Sequence, residues 1–441
     1  MGRNRASRRQ FLATVLGAST ATLAGCGSND DETATPGDSA GTATAEPTAG
    51  PTDTPMSGAT ETAGPTDTPA SGATETAEPT DAPTATPGAS SFASWPTFMR
   101  NNEHWGHHPD ARAPHGSVSV DWSRQFDQSQ LNATAVLADG TLYVGAGGAG
   151  DSDGSFHALD PVTGETKWSI DTPAPVTSAA AVDGGFVFFG TSNGSLYALQ
   201  TGDGSELWSE QFKTTEAFTA PVVADGSLYI GSNGSRVYEF DMLNGEQQWN
   251  QATFGAITAS PVVTDGMLYA PSGDSDLYAY TTSGSLEWQL SFDGSVNGVS
   301  YRQRRLYATT ESNDLAQVNT NGSVDWRTSL GDGIASTPAV TEDRVVVGAR
   351  DNTLYAVNRT NGTELWRFTG ASDGVTAPPA VADGTVYVGS RDGNVYAVDL
   401  ETGDEEWSFG TDNNIEEAAP VVAGGRVYIG SQDGTFYALS E

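Results

Sequence analysis

A tryptophan returns at Trp168, Trp208, Trp249, Trp288, Trp326, Trp366 and Trp407, at intervals of 38 to 41 residues. No other feature constrains the fold of this chain as strongly. The same pattern fills each interval, most cleanly in residues 379–410, PAVADGTVYVGSRDGNVYAVDLETGDEEWSFG. Three short runs alternate apolar and polar residues and stop at Asp383-Gly384, Asp392-Gly393 and Glu401-Thr402-Gly403; a fourth, Glu405–Phe409, carries Trp407. Period-two runs broken by Asp-Gly are the strongest short hairpin signal. Each unit therefore predicts a four-stranded antiparallel meander. One such sheet cannot bury both faces, so copies must stack. A four-stranded unit of about 40–45 residues is the period of a propeller blade.

The opening strand of the unit occurs eight times, from Ala135-Val136-Leu137 to Pro420-Val421-Val422, but only seven tryptophan strands follow. The last copy stops at Ala438-Leu439-Ser440-Glu441, where its tryptophan strand is due. The missing strand lies at the other end: Ser119-Val120-Asp121-Trp122 repeats the letters of Ser323-Val324-Asp325-Trp326. The prediction is an all-β, eight-bladed propeller, closed by a strand at about 118–124 that completes the last blade. Closure hides sheet edges that would otherwise invite aggregation.

The spacing A-x-D-x-x-T-G-x-x-x-W resembles the tryptophan-docking motif of quinoprotein-type propellers, whose repeats are named for pyrroloquinoline quinone. It is complete or nearly so at Ala158–Trp168, Ala356–Trp366 and Ala397–Trp407. It is looser at Ala198–Trp208 and Ala316–Trp326, shifted by one near Tyr278–Trp288, and has Glu239 in place of alanine before Trp249. Alanine leaves room for a ring, glycine takes the turn, and tryptophan fills the gap between tapered blades. The resemblance covers roughly residues 95–441. It is specific for fold and much less so for function.

The chain starts with an address. Ser7-Arg8-Arg9-Gln10-Phe11-Leu12 resembles a twin-arginine export signal, and Leu23-Ala24-Gly25-Cys26 a lipobox. Residues 1–25 are expected to leave as a signal peptide, with Cys26, the only cysteine, as the site of lipid attachment. Residues 26–91 are low in large apolar side chains and rich in Thr, Pro, Ala, Gly, Ser and acids. Such a segment cannot offset its ordering entropy and reads as a disordered tether. As a flexible coil it would reach roughly 40–50 Å. The expected location is the outer face of the cytoplasmic membrane.

Residues 92–116 lead into the repeats of the 92–441 propeller domain and contain His104, His107, His108 and His115. The H-x-x-H-H spacing is open to a metal, but no cysteine accompanies it, and the favoured reading is a cap built on Trp95, Phe98 and Trp105. Asp151 and Asp153 alternate before Gly154 as calcium loops begin, yet no later acid is in register, so a plain turn is favoured. Arg302, Arg304 and Arg305 stand where other blades carry Asp-Gly. They read as repeat drift, with an anion or partner contact as the alternative.

The formal charge is −36; removing Arg3, Arg5, Arg8 and Arg9 with the leader leaves 56 acids against 16 basic residues, or −40. Such a field repels nucleic acid and anionic membranes. Acid-rich, lysine-poor composition with this leader and tether is similar to surface lipoproteins of halophilic archaea.

Two function classes follow. The first is a non-enzymatic protein-binding or scaffold module. The segments joining each tryptophan strand to the next blade should gather at one end, and they carry Asp127, Glu216, Asp293, Asp332, Asp373, Asp412, Glu416 and Glu417. This layout resembles the lipoprotein propeller of the bacterial outer-membrane assembly machine, which implies a protein partner. The second is an enzyme: the quinoprotein resemblance implies pyrroloquinoline quinone with calcium in the central funnel. Near-minimal blades, no mature cysteine pair and no discernible catalytic base or nucleophile set speak against it, so no cofactor is expected. Capture of a small ligand such as a sugar or peptide in the channel is a further alternative.

Overall fold

The computed structural model describes residues 94–127, 130–148, 151–212 and 216–441. Arg8, Arg9, Cys26 and the Thr/Pro-rich stretch lie outside them. The described residues form strands and turns with no helix, in eight sheets. Blade 1 is typical: Val136–Ala138, Thr141–Ala146, Gly154–Leu159 and Thr166–Thr172 pair in that order, each antiparallel to the last. Burial falls from the inside outwards. Every residue of the second strand is buried, whereas the fourth alternates between exposed and half-buried.

Closure occurs as expected. Ser119–Gln125 pairs antiparallel with Thr435–Ser440 and completes the blade begun by Val421–Ala423 and Arg426–Gly430. The Asp-Gly hairpins between first and second strands adopt positive φ at both central residues, as at Asp383 (50°) and Gly384 (82°), whereas in Asp392-Gly393 only the glycine does. Such a turn matches the twist of its strands. In blade 5 the same conformation is taken by Gln303 and Arg304 (50° and 63°), two residues that do so at a cost. Side-chain bonds hold this turn: Gln303 donates to Glu342 and accepts from Arg359, at 2.9 and 2.7 Å.

The docking motif has a sharper basis than filling space. Ala158, Ala356 and Ala397 lie opposite the tryptophan of their own blade, beside a one-residue bulge. Except for Trp407, the indole N–H then reaches a turn carbonyl of the next blade, as Trp168 does to Thr201 (2.9 Å) and Trp366 to Leu400 (2.9 Å). The ring lies on the motif glycine of that blade. At Gly204 (φ +73°) a Cβ would sit 2.6 Å from Trp168. Blade 5 departs from the sequence alignment: Gln317, not Ala316, lies opposite Trp326. Its amide reaches Tyr307 Oη and Arg359 O, both at 2.9 Å, so a polar side chain replaces the alanine without an orphaned amide N–H.

The lead-in is more than a cap. It makes a circuit of the central channel, bonded to the innermost strand of each blade in turn. Trp95 exchanges backbone bonds with Leu137 of blade 1 (2.7 and 2.9 Å), and Pro96 O accepts from Val182 of blade 2 (2.8 Å). Asn102 bridges blades 3 and 4: its amide donates to Val223 O (2.6 Å) and its carbonyl accepts from Val263 (3.1 Å). Glu103, Trp105 and Gly106 accept from Tyr301, Val340 and Val381 of blades 5, 6 and 7, at 2.8, 2.7 and 2.6 Å. His107–His108 adds a fifth, parallel strand to blade 7. The Trp95 indole donates to Val422 of blade 8 (2.7 Å), which closes the circuit. Pro114 O then accepts from the Trp407 indole (3.2 Å), serving where blade 8 has no internal turn because its outer strand comes from the N-terminal side.

Candidate functional site

All these lead-in bonds fall near the hairpin between the first and second strands, so the lead-in lies towards that end of the channel. The opposite end carries the segments linking blade to blade. Each is laced to the turn between the second and third strands of the blade it enters, as in Asn233 N to Ala217 O (3.1 Å) and Gly273 N to Ala256 O (2.8 Å). Between these loops and the lead-in lies a funnel of about 470 Å³. Phe98, half-buried, contributes to it from the lead-in. The walls are short polar side chains, among them Thr177, Ser178, Thr219, Thr258, Asn297 and Thr337, from several blades. Among the described residues, Arg350 and Glu417 are its charged lining residues.

His104, His107 and His108 face inwards, whereas His115 is exposed and pairs with Asp383 at 3.0 Å. His104 is completely buried and its Nδ1–H donates to Val299 O (3.2 Å). Burial pushes His104 down to about 4. His107 and His108 also fall to about 4, through burial and then the charges of Arg302 and Arg100 for the first, Arg100 for the second. Among the described residues no group of three or more His, Cys, Asp or Glu could hold a metal. Arg302 is spent on the same region: buried, it lies 4.3 Å from the Trp105 ring centroid, donates to Val340 O and pairs with Glu342. Arg305 pairs with Asp325 (3.0 Å). Arg302 and Arg305 are therefore committed to packing and pairing, while Arg304 is exposed in the turn.

The eight acids of the linking loops share an end but not an environment. Asp127, Asp293, Asp332, Asp373 and Asp412 are exposed. Glu216 accepts from Ser232 Oγ (2.7 Å), and Glu416 pairs with Arg391 (3.2 Å) and accepts from Gln432 (3.0 Å). Glu417 alone of the eight lines the funnel. Glu417 is exposed overall, but lost hydration at its carboxyl, with Glu416 beside it, raises the group above its usual range despite the pull of Arg391. Asp151 Oδ2 accepts from Gly148 N–H (2.9 Å) within its own loop, and Asp153 is exposed.

Sequence reasoning missed Phe254, which is 90% exposed in the loop entering blade 4. Its backbone N–H donates to Asp274 Oδ2 (2.7 Å), which also accepts from Tyr278 Oη (2.8 Å), so the loop presenting the ring is tied down. The signal was readable: five residues after its tryptophan, Phe254 is the single aromatic, where the other linking sequences have Asp127, Pro173, Lys213, Asp293, Gly331, Ala371 and Asp412.

The quinone expected of a quinoprotein relative can be tested against the funnel. Pyrroloquinoline quinone is a planar tricarboxylate, and calcium takes roughly six to eight oxygen ligands. The funnel offers one carboxylate, Glu417, and one guanidinium, Arg350, already paired with Glu311 at 3.0 Å. These residues do not fit the quinone and its calcium.

Comparison with known proteins agrees with the repeat. The family described as outer membrane protein assembly factor BamB matches residues 114–220, 203–300, 273–375 and 355–441. The outer membrane protein assembly factor BamB of Nitrosomonas eutropha is 27% identical over 115 residues, 26% of each chain. The dehydrogenase subunit of alcohol dehydrogenase (quinone) from Gluconobacter oxydans is 28% identical over 162 residues, 30% of this chain and 21% of the relative. These matches span only about a quarter of either curated relative. Among solved structures, BamB from Moraxella catarrhalis superposes with a TM-score of 0.62 at 18% identity, over 74% of this chain and 98% of that one. Quinohemoprotein alcohol dehydrogenase from Comamonas testosteroni gives 0.65 at 14%, over 78% and 80%. Both structures share the fold, at identities too low to carry function. With four overlapping matches running from residue 114 to the last residue, the chain belongs to the repeat family described as outer membrane protein assembly factor BamB.

Proposed function

We propose that this protein is a non-enzymatic scaffold that binds a protein partner through the loop end of its propeller. The observation that carries the reading is the exposed acidic set, Asp127, Asp293, Asp332, Asp373 and Asp412, standing at the same end as the protruding, rigidly held Phe254. A buried aromatic anchor within a polar rim is how binding energy concentrates at protein interfaces. The relative in Nitrosomonas eutropha bears the name of an assembly factor, which favours a partner over a substrate. Twin-arginine export and lipid attachment at Cys26 would place the propeller at the outer face of the cytoplasmic membrane, on its tether. The quinone-dependent dehydrogenase reading draws on the relative in Gluconobacter oxydans, and the funnel residues speak against it.

The test is affinity capture of the tagged protein from cross-linked membranes at native salt, followed by mass spectrometry. A reproducible partner should disappear when Asp373, Asp412, Glu416 and Glu417 are changed to Asn or Gln. It should survive Asp183→Asn near the lead-in end. The reading fails if wild type enriches no partner, or if neutralising the loop acids changes nothing.

A further inference from the structure

The funnel is a cavity that partner binding at the rim does not use. Its volume, about 470 Å³, falls in the size class of small-molecule sites. Its chemistry is unusual for this protein. On a chain of net charge −36, the lining holds a single acid and a single base among the described residues. The remaining polar groups are hydroxyls and amides, which both donate and accept. Some are committed between blades: Thr134 Oγ accepts from Ala419 N–H (2.9 Å), and Asn297 donates to Ile334 O (2.8 Å). Ser178 Oγ is not. It is buried, lines the funnel and has no hydrogen-bond partner. An orphaned buried hydroxyl is costly, but this oxygen presents almost no surface to the funnel, so it adds to the polarity of the wall rather than offering a ready contact. Phe98 offers a half-buried aromatic ring, with the His104 ring edge-on to it at 5.3 Å and 82°.

We infer that the funnel binds a neutral carbohydrate of one or two rings, with Phe98 as the stacking surface and Thr258 and Thr337 as hydroxyl partners. Anionic ligands are disfavoured by the field of the chain and by the pairing of Arg350 with Glu311. A peptide side chain would need an apolar pocket, but Phe218 and Ile257 in the walls are 5% and 1% exposed and the other aliphatic lining residues are alanine or proline. A polyol meets hydroxyls and amides on the walls and an aromatic ring from the lead-in. The inference is independent of the partner reading, since the ligand enters the funnel and the partner would sit on its rim.

Saturation-transfer NMR on the full chain provides the test, with glucose, galactose, N-acetylglucosamine, maltose and lactose as probes. At least one should bind with a dissociation constant of about 1 mM or tighter. Thr258→Val and Thr337→Val should each weaken it by a factor on the order of ten, while Thr166→Val on an outer strand leaves it unchanged. A diazirine derivative of the bound sugar, cross-linked to wild type, should label residues 97–99, 177–179 or 257–260; this keeps the test decisive if a valine variant does not fold. The inference is overturned if none of the five sugars shows transfer, if label maps elsewhere, or if folded valine variants bind as wild type does. Saturable binding of pyrroloquinoline quinone with calcium that displaces the sugar would overturn it too.

Discussion

The two ends of the propeller are built on opposite plans. Near one end a single continuous segment, Trp95–His108, touches the innermost strand of all eight blades, with His104, His108 and Arg302 buried there and His107 half-buried. At the other, separate loops each lie on their own blade and leave acids and an aromatic ring in water. The contrast separates two tasks. A segment shared by every blade couples them, so damage there is felt by the whole ring. A loop belonging to one blade can change without consequence for its neighbours, which suits a recognition surface.

The sharpest way to break the contrast is Trp95→Ala. Trp95 is 2% exposed and bonds blades 1 and 8 at once. Its loss should cost about 3–5 kcal/mol, read as a lower urea midpoint at unchanged slope. An aromatic substitution at the loop end has no such expectation.

A pair of glycines comes next. Gly204→Ala adds a methyl against Trp168 at a backbone φ of +73° and should cost about 2 kcal/mol or more. Gly226→Ala meets the same backbone penalty (φ +82°) with nothing within 4 Å, and should cost only about 1 kcal/mol. Equal losses in thermal or urea melts would remove the ring contact from the account of blade docking.

Acid should also act on the lead-in end first. Exposed His115 is raised by its bond to Asp383, but His104, His107 and His108 each have a folded value near 4, below the unfolded 6.5. Between these values the unfolded chain binds more protons, so stability is intact above pH 6.5 and falls as pH drops towards 4. For fully buried His104 the loss at about pH 5.5 is about 1 kcal/mol. Urea midpoints at pH 7 and 5.5 should diverge, and His107→Gln should narrow the gap. An unchanged midpoint would mean that the histidines are not held neutral.

The smallest effect on stability is expected from Phe254→Asp, within about 0.5 kcal/mol of wild type, because the ring is already in water. Its effect on partner capture should be large. A variant that melts normally and still captures the partner would limit recognition to the acidic loops.

The blades were legible because their signals are local. Hairpin turns, alternation and the docking motif each lie within one repeat, and repetition multiplied a weak signal eight times. Even the ring closure was readable, since Ser119–Trp122 duplicates the letters of a strand already recognised. Blade 5 was misaligned by one residue, because Ala316 offered a better letter match than Gln317, which the backbone places opposite Trp326. The acidic loops could be placed at one end from topology alone. Which of those acids stays in water, which is paired and which turns into the funnel could not, because that depends on neighbours such as Arg391 and Ser232 contributed by different turns.

The repeat, its period and its closing strand follow from short-range chemistry, and the amino-acid order is enough to specify them. The path of the lead-in does not. Residues 94–116 carry no repeat and no periodicity, and their bonds run from Leu137 to Val422. Only the assembled ring brings eight inner strands around one channel and offers their backbone groups to a single segment. The funnel, its Phe98 and the unpartnered Ser178 follow from that meeting, since each takes its surroundings from residues that are neighbours in space and remote in the chain.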